Sequence, residues 1–220
     1  MDFDLAYLAA QGPALMRGLW LTVQVSLLSI VLSVLVGLLG AAVRVLEVPV
    51  LDRVVAAYVE FIRNTPMLAQ LFFIFYGLPG IGLKLSLFWS GVLCLTVWAG
   101  AYQIENLRGG LATVGKGLRE ASYALGLTPW RFFHLVAAPL AIRVALPAML
   151  NTAISLLKNS SYLQAIGLAE LTYVAIDRIS MDFRTLEMFA AICVIYLALV
   201  LVLSFLASRL ELRLNAPFRH

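Results

Sequence analysis

Lys158, Asn159, Ser160 and Ser161 stand in a row. An ammonium, an amide and two hydroxyls supply the donors and acceptors that a small zwitterion needs. The competing reading is a lysine whose stem snorkels to an interface. Glu60 and Arg63 are three apart, as are Glu105 and Arg108. That spacing sets each pair on one helix face, where the charges neutralise each other. The bland reading is an ion pair that lowers the cost of burying charge. The functional reading is a polar path, because ionisable groups inside a membrane usually serve function. Glu60–Arg63 is expected to be the ion pair, and both readings stand for Glu105–Arg108.

Catalytic chemistry is harder to find. Gly110 to Lys116 approaches a phosphate-binding loop, but Gly117 follows where a magnesium-holding Ser or Thr is needed, and no strand pattern precedes it. Neither His-Glu-x-x-His nor Gly-x-Ser-x-Gly occurs. His134 reads as a packing residue. The chain by itself is expected to be no enzyme and to need no cofactor. Cys94 and Cys193 fall in apolar runs and read as buried thiols without metal spacing.

The stretch from Arg119 to Pro139 reads as two short helices joined at a bend. Gly126 can end the first with a left-handed cap. Thr128 offers an N-cap oxygen and Pro129 fits the first turn of the second. Trp130, Phe132, Phe133 and Leu135 then form an aromatic, apolar surface. It fits either docking to a partner or an amphipathic helix lying on lipid.

These residues are set in a very apolar chain. Of 220 residues 62% are hydrophobic and 13% charged, against roughly 25% charged in soluble domains. Mean hydropathy is +0.95. An all-α polytopic membrane protein follows, with no separate soluble domain. The net charge of +4 is scattered, without the basic-aromatic interleaving that nucleic acid binding needs, so no nucleic acid partner is expected.

A spanning helix needs ~20 mostly apolar residues. Five stretches qualify: Leu19 to Val43, Val54 to Gly77 with a bend or break at Pro66, Ser86 to Tyr102 with a continuation to about Leu107, about Pro139 to Leu157 with a kink at Pro147, and Leu186 to Leu206. Gly37 and Gly40 should allow close helix approach. Ser160 to Glu187 is mixed and should be re-entrant or extramembrane. The acidic start, Met1-Asp2-Phe3-Asp4, argues for a retained first helix and against a signal peptide.

Five spans put the ends on opposite sides. Arg44, Arg53, Arg108, Lys116, Arg119, Arg131, Arg143, Arg209, Arg213 and Arg219 fall on the side of the Arg119–Pro139 loop; Arg17, Lys84, Arg178 and Arg184 fall on the other. Positive charge marks the cytoplasmic side. The expected layout is an external segment over 1–18, a transmembrane domain over 19–208 with its loop at about 110–138, and a cytoplasmic tail over 209–220.

Glu120-Ala121, Gly126 and Pro139 resemble the coupling loop of permeases of ATP-binding cassette (ABC) importers, with Ser122 in place of a usual Ala. Phe61 to Leu68, Ala101-Tyr102, Arg108-Gly109-Gly110, Lys116-Gly117, Leu156-Leu157-Lys158 and Ile166 to Leu171 resemble the polar amino acid branch of that class. The resemblance covers nearly everything beyond about Leu19. It implies a membrane subunit in the bacterial inner membrane, working with separate ATPase subunits, a second permease subunit, identical or different, and an external binding protein. Glu120, Ala121, Gly126, Trp130 and Phe133 would couple to the ATPase. Glu105, Lys158, Asn159 and Ser160 would line the substrate path. Where this branch commonly has Asp after the Lys, this chain has Asn159, which leaves Lys158 unbalanced and favours glutamate or aspartate, with neutral polar or basic amino acids as alternatives. An ion-coupled secondary transporter and a structural membrane protein are the rivals from other classes. The first would need internal repeats, which are not visible; the second would not need the polar run at Lys158.

Overall fold

The computed structural model describes residues 3–45 and 48–215. Among them every regular element is a helix. In chain order these are α1 (Leu5–Val45), α2 (Leu51–Arg63), α3 (Met67–Phe72), α4 (Leu87–Ala112) and α5 (Lys116–Ala124). α6 (Pro129–Phe132), α7 (Ala138–Asn159), α8 (Leu171–Asp182) and α9 (Thr185–Asn215) follow. Arg219, counted above in the charge balance, lies outside the described residues, as do Met1 and Asp2.

Four helical stretches are long and apolar enough to cross a membrane: Leu5–Arg44, Leu87–Ala112, Pro129–Ile166 and Thr185–Arg213. The second expected span is the broken stretch α2–α3, which continues through a π-helical turn at Phe73–Gly77 and a 3-10 turn at Leu78–Ile81. α1 starts well before the apolar run that foretold it. The fourth span likewise starts early. α6 runs through a wide π turn, Phe133–Ala137, directly into α7, so the helix from Pro129 onward is continuous. Pro139 lies in the first turn of α7 and does not interrupt it.

One helix, α1, buries a polar stripe and exposes apolar residues, the reverse of a soluble bundle. On α1, Thr22, Ser26, Ser29 and Ser33 are buried, while Leu27, Val31, Leu35 and Leu39 are exposed. Lipid is as apolar as leucine, so burying leucine gains little there. Close packing and hydrogen bonds hold the helices instead. Ser29 donates to the Val92 carbonyl of α4 at 3.4 Å. Gly37 lets α1 lie against α4, since a Cβ there would stand 2.5 Å from Gln103 Cβ. α4 is the hub, packed by α1, α2 and α7, and Cys94, Leu95, Ala99 and Ala101 on it are fully buried. α9 is largely exposed. Cys193 on α9 is exposed too, contrary to the expectation of a buried thiol; only Cys94 is buried.

The break at Pro66 has a specific repair. Pro66 has no N–H to give the Ile62 carbonyl. The Gln70 side chain supplies it: Nε2 donates to Ile62 O at 2.9 Å and to Thr65 Oγ1 at 2.8 Å. Glu170 ties three helices together. Its side chain is fully buried and caps α8 by accepting from the Tyr173 N–H at 2.8 Å. It also accepts from Tyr196 OH of α9 at 2.9 Å and from Thr22 of α1 at 3.4 Å. Thr22 in turn accepts from the Leu171 N–H at 3.1 Å.

Candidate functional site: a coupling turn and a polar helix face

α5 ends as its composition demands. Gly126 sits at φ +80°, a left-handed turn that branched side chains avoid. Its N–H reaches Tyr123 O at 2.9 Å, and the Leu127 N–H reaches Ser122 O at 3.1 Å, so these two carbonyls in the last turn of α5 are satisfied. Thr128 then caps α6 by accepting from the Arg131 N–H at 3.3 Å, with Pro129 in the first turn. Glu120, Ala121 and Gly126 all lie exposed on this hairpin. Leu125 is 83% exposed and Trp130 71%. Trp130 packs against His134 with ring centroids 3.9 Å apart and the planes tilted by 42°, and Phe133 lies beside the same imidazole at 5.3 Å. Phe132 instead turns inward to Tyr123. The result is an apolar-tipped hairpin whose second helix runs without a break into the membrane helix α7.

The second region lies on α4 and α7. Glu105 is held by Arg108, with Nη2 2.7 Å and Nε 3.0 Å from its two oxygens. Arg63, at the end of α2, also reaches Glu105 at 3.8 Å and lies over the Tyr102 ring at 5.2 Å. The expected Glu60–Arg63 pair is therefore replaced. Glu60 accepts from Asn64 Nδ2 at 2.9 Å, and Arg63 crosses to α4. Helical spacing brought Glu60 within reach, but the turn at Asn64–Pro66 swings the end of α2 against α4.

Next to this cluster Asn106 Nδ2 donates to Thr152 Oγ1 at 2.9 Å, and Gln103 Nε2 donates to the Met149 carbonyl at 3.2 Å, tying α4 to α7. Lys158 stands on α7 beyond Thr152 by about 9 Å of helix rise. The helix positions thus set Glu105 and Lys158 at different depths. Lys158 is exposed and Asn159 half-buried. Ser160 is fully buried and its hydroxyl is spent on the Leu157 carbonyl at 2.7 Å.

Two residues that sequence reasoning passed over share the face of Lys158. Asn151 is exposed and Ser155 half-buried, and with Lys158 they follow a spacing of four and then three. That is one stripe of a helix. Thr152, Ala153, Leu156 and Leu157, on the opposite side, are buried. The signal was present in the sequence as a polar period inside an apolar run.

A model of binding-protein-dependent transport system inner membrane components matches residues 33–216. The chain belongs to that family. Its permease relatives are similar over their whole length. The glutamine transport system permease protein of Escherichia coli (strain K12) is 36% identical, over 98% of this chain and 99% of that one. The probable glutamine ABC transporter permease protein of Bacillus subtilis (strain 168) is 37% identical, over 97% and 99%. Among solved structures, the crystal structure of an amino acid ABC transporter with histidines superposes with a TM-score of 0.90 at 34% identity, covering 97% of this chain and all of that one. The methionine ABC transporter in inward-facing form shares the fold at a TM-score of 0.78 and 23% identity. The chain is thus a membrane component of that family, similar to permeases of amino acid ABC transporters, and the all-helical, polytopic architecture read from its hydropathy agrees.

Proposed function

We propose that this permease moves a polar, non-cationic amino acid by alternating access driven by separate ATPase subunits. The observation that carries the reading is the polar face of exposed Asn151, half-buried Ser155 and exposed Lys158 on a helix that is otherwise fit to cross a membrane. Polar groups facing lipid would be costly. A face of this kind belongs against a water-filled passage, against a second permease subunit, or at the passage between the two. Lys158 and Asn159 supply donors for the substrate carboxylate. Ser160 supports the backbone beneath them. The Glu105 cluster, with two guanidiniums to one carboxylate, forms a second polar station at another depth.

The coupling hairpin faces the cytoplasm in this reading, the N-terminus lies outside, and the tail lies inside. Glu120, Ala121, Gly126, Trp130 and Phe133 meet an ATPase subunit. ATP binding there draws the hairpins together, and the continuous helix from Pro129 carries the movement to Lys158. An external binding protein delivers the substrate.

Glutamine is the substrate that the relatives' names favour. The excess of positive charge at both polar stations also suits glutamate or aspartate, since a cationic side chain would meet like charge at low dielectric. The test is uptake of glutamine, glutamate and arginine by the complex in proteoliposomes with its cognate binding protein. Glutamine or glutamate should lead. Arginine as the best substrate would refute the charge argument. An Asn159→Asp variant should raise arginine uptake relative to glutamate, and an unchanged ranking would remove Asn159 from selection. Failure of any ATPase to copurify with the chain would refute the importer reading.

A further inference from the structure

A groove opens where the membrane helices meet the coupling hairpin. It encloses about 590 Å³. Leu38 and Ala42 of α1, Leu111 of α4 and Ile142 of α7 wall it, and Trp130 closes one side. These walls are apolar. Arg119 of α5 is the one charged residue in the lining. None of the ion pairs among the described residues uses Arg119.

The groove spans two environments. Leu111 is at the end of α4, while Leu38 lies about 10 Å of rise inside the end of α1. One end therefore lies at the end of a spanning helix and the other about two helical turns inside one. An occupant must be apolar along its body and anionic at the Arg119 end. Leu125, 83% exposed on the hairpin, lies outside the recess, which Tyr123 and Phe132 help to line. Basic pockets between the ends of membrane helices are suited to anionic headgroups.

We propose that the groove holds an anionic phospholipid, with one acyl chain between α1, α4 and α7 and its phosphate on Arg119. This goes beyond the transport reading and does not rest on its substrate. The orientation proposed above sets only the leaflet, which is the cytoplasmic one.

Photoactivatable lipids test it. The permease assembled with its ATPase is placed in phosphatidylcholine vesicles carrying either phosphatidylglycerol or phosphatidylcholine with a photoreactive acyl chain, and labelled peptides are mapped. The glycerol probe should label the groove peptides around Ala42, Leu111 and Ile142 about fivefold over the choline probe, the factor one surface cation is worth. The exposed face of α9, around Val194 and Leu201, should take both equally. Arg119→Gln should bring the groove ratio down to that of α9. Ala42→Phe, which adds bulk from an exposed position, should empty the groove of both labels and leave α9 unchanged. Equal labelling of groove and α9 by both probes would overturn the proposal, as would a glycerol preference that survives Arg119→Gln. An unlabelled groove beside a labelled α9 would mean that a protein subunit, the ATPase or a second permease, fills it, and would also overturn the proposal.

Discussion

Arg63 and Glu105 lie 3.8 Å apart on different helices, and Arg108 holds the same carboxylate at 2.7 Å. Removing the carboxylate leaves two guanidiniums facing each other. Both are more than a third exposed, so solvent screens them and Glu105→Gln should cost at most ~1 kcal/mol of stability. The proposed role of Glu105 in the substrate path predicts a larger effect on transport, because α2 and α4 lose their shared anchor. Uptake in proteoliposomes should fall by on the order of tenfold, the factor set by ~1.4 kcal/mol, while thermal stability of the purified complex stays near wild type. Normal uptake would mean that the cluster is structural ballast.

Gly126 turns the coupling hairpin at φ +80°. Gly126→Val forces a branched side chain into that conformation at ~1–2 kcal/mol. Glu120→Arg reverses a charge on the same exposed surface. Both variants should insert normally and lose substrate-stimulated ATP hydrolysis. Full stimulation in both would exclude the hairpin from coupling.

Gln70 replaces the hydrogen bond that Pro66 cannot make. Gln70→Leu keeps the bulk but leaves the Ile62 carbonyl without this donor, a loss of ~1–3 kcal/mol for a buried group. The melting temperature of the detergent-solubilised chain should drop, and Gln70→Glu, which cannot donate when ionised, should drop it as well. A melting temperature unchanged in both would show that the break needs no bridge.

Glu170 accepts bonds from three helices in a buried site. Burial, the largest influence, pushes its carboxyl above the ordinary carboxylate range, against the pull of the hydrogen bonds. A raised acid binds its proton more tightly folded than unfolded. Its contribution to stability is therefore greatest below the ordinary carboxyl pKa and declines as pH rises through the folded value. Stability measured against pH should show that decline, and Glu170→Gln should abolish it. Glu170→Ala should destabilise at every pH, since it strips partners from Tyr196 and the Tyr173 N–H. A pH profile identical in wild type and Glu170→Gln would refute the linkage.

Orientation is checked by reporters. A fusion after His220 should be active only in the cytoplasm, and one in the Lys84 loop only outside. Reversed activities would put the coupling hairpin on the face without ATP.

Local chemistry alone wrote the hairpin of α5 and α6. Gly126, Thr128 and Pro129 each act within a few residues of their own backbone, so their roles are visible in order along the chain. The all-helical, membrane-spanning character was also determined there, because hydropathy over ~20 residues reflects the solvent and not the neighbours. Helix ends were less legible. α1 begins at Leu5 and the fourth span at Pro129, since a helix can outrun its apolar core where other helices or the interface cover it. Tertiary structure alone decided the partners of charged and polar groups. Arg63 had a carboxylate one turn away on α2 and took another on α4. Glu170 met Thr22 across 148 residues. Lys158 was set apart in depth from Glu105, and Asn151 and Ser155 joined it on one face. Pairing across helices depends on which faces approach, and that is fixed by packing over the whole bundle, which no short stretch of sequence encodes.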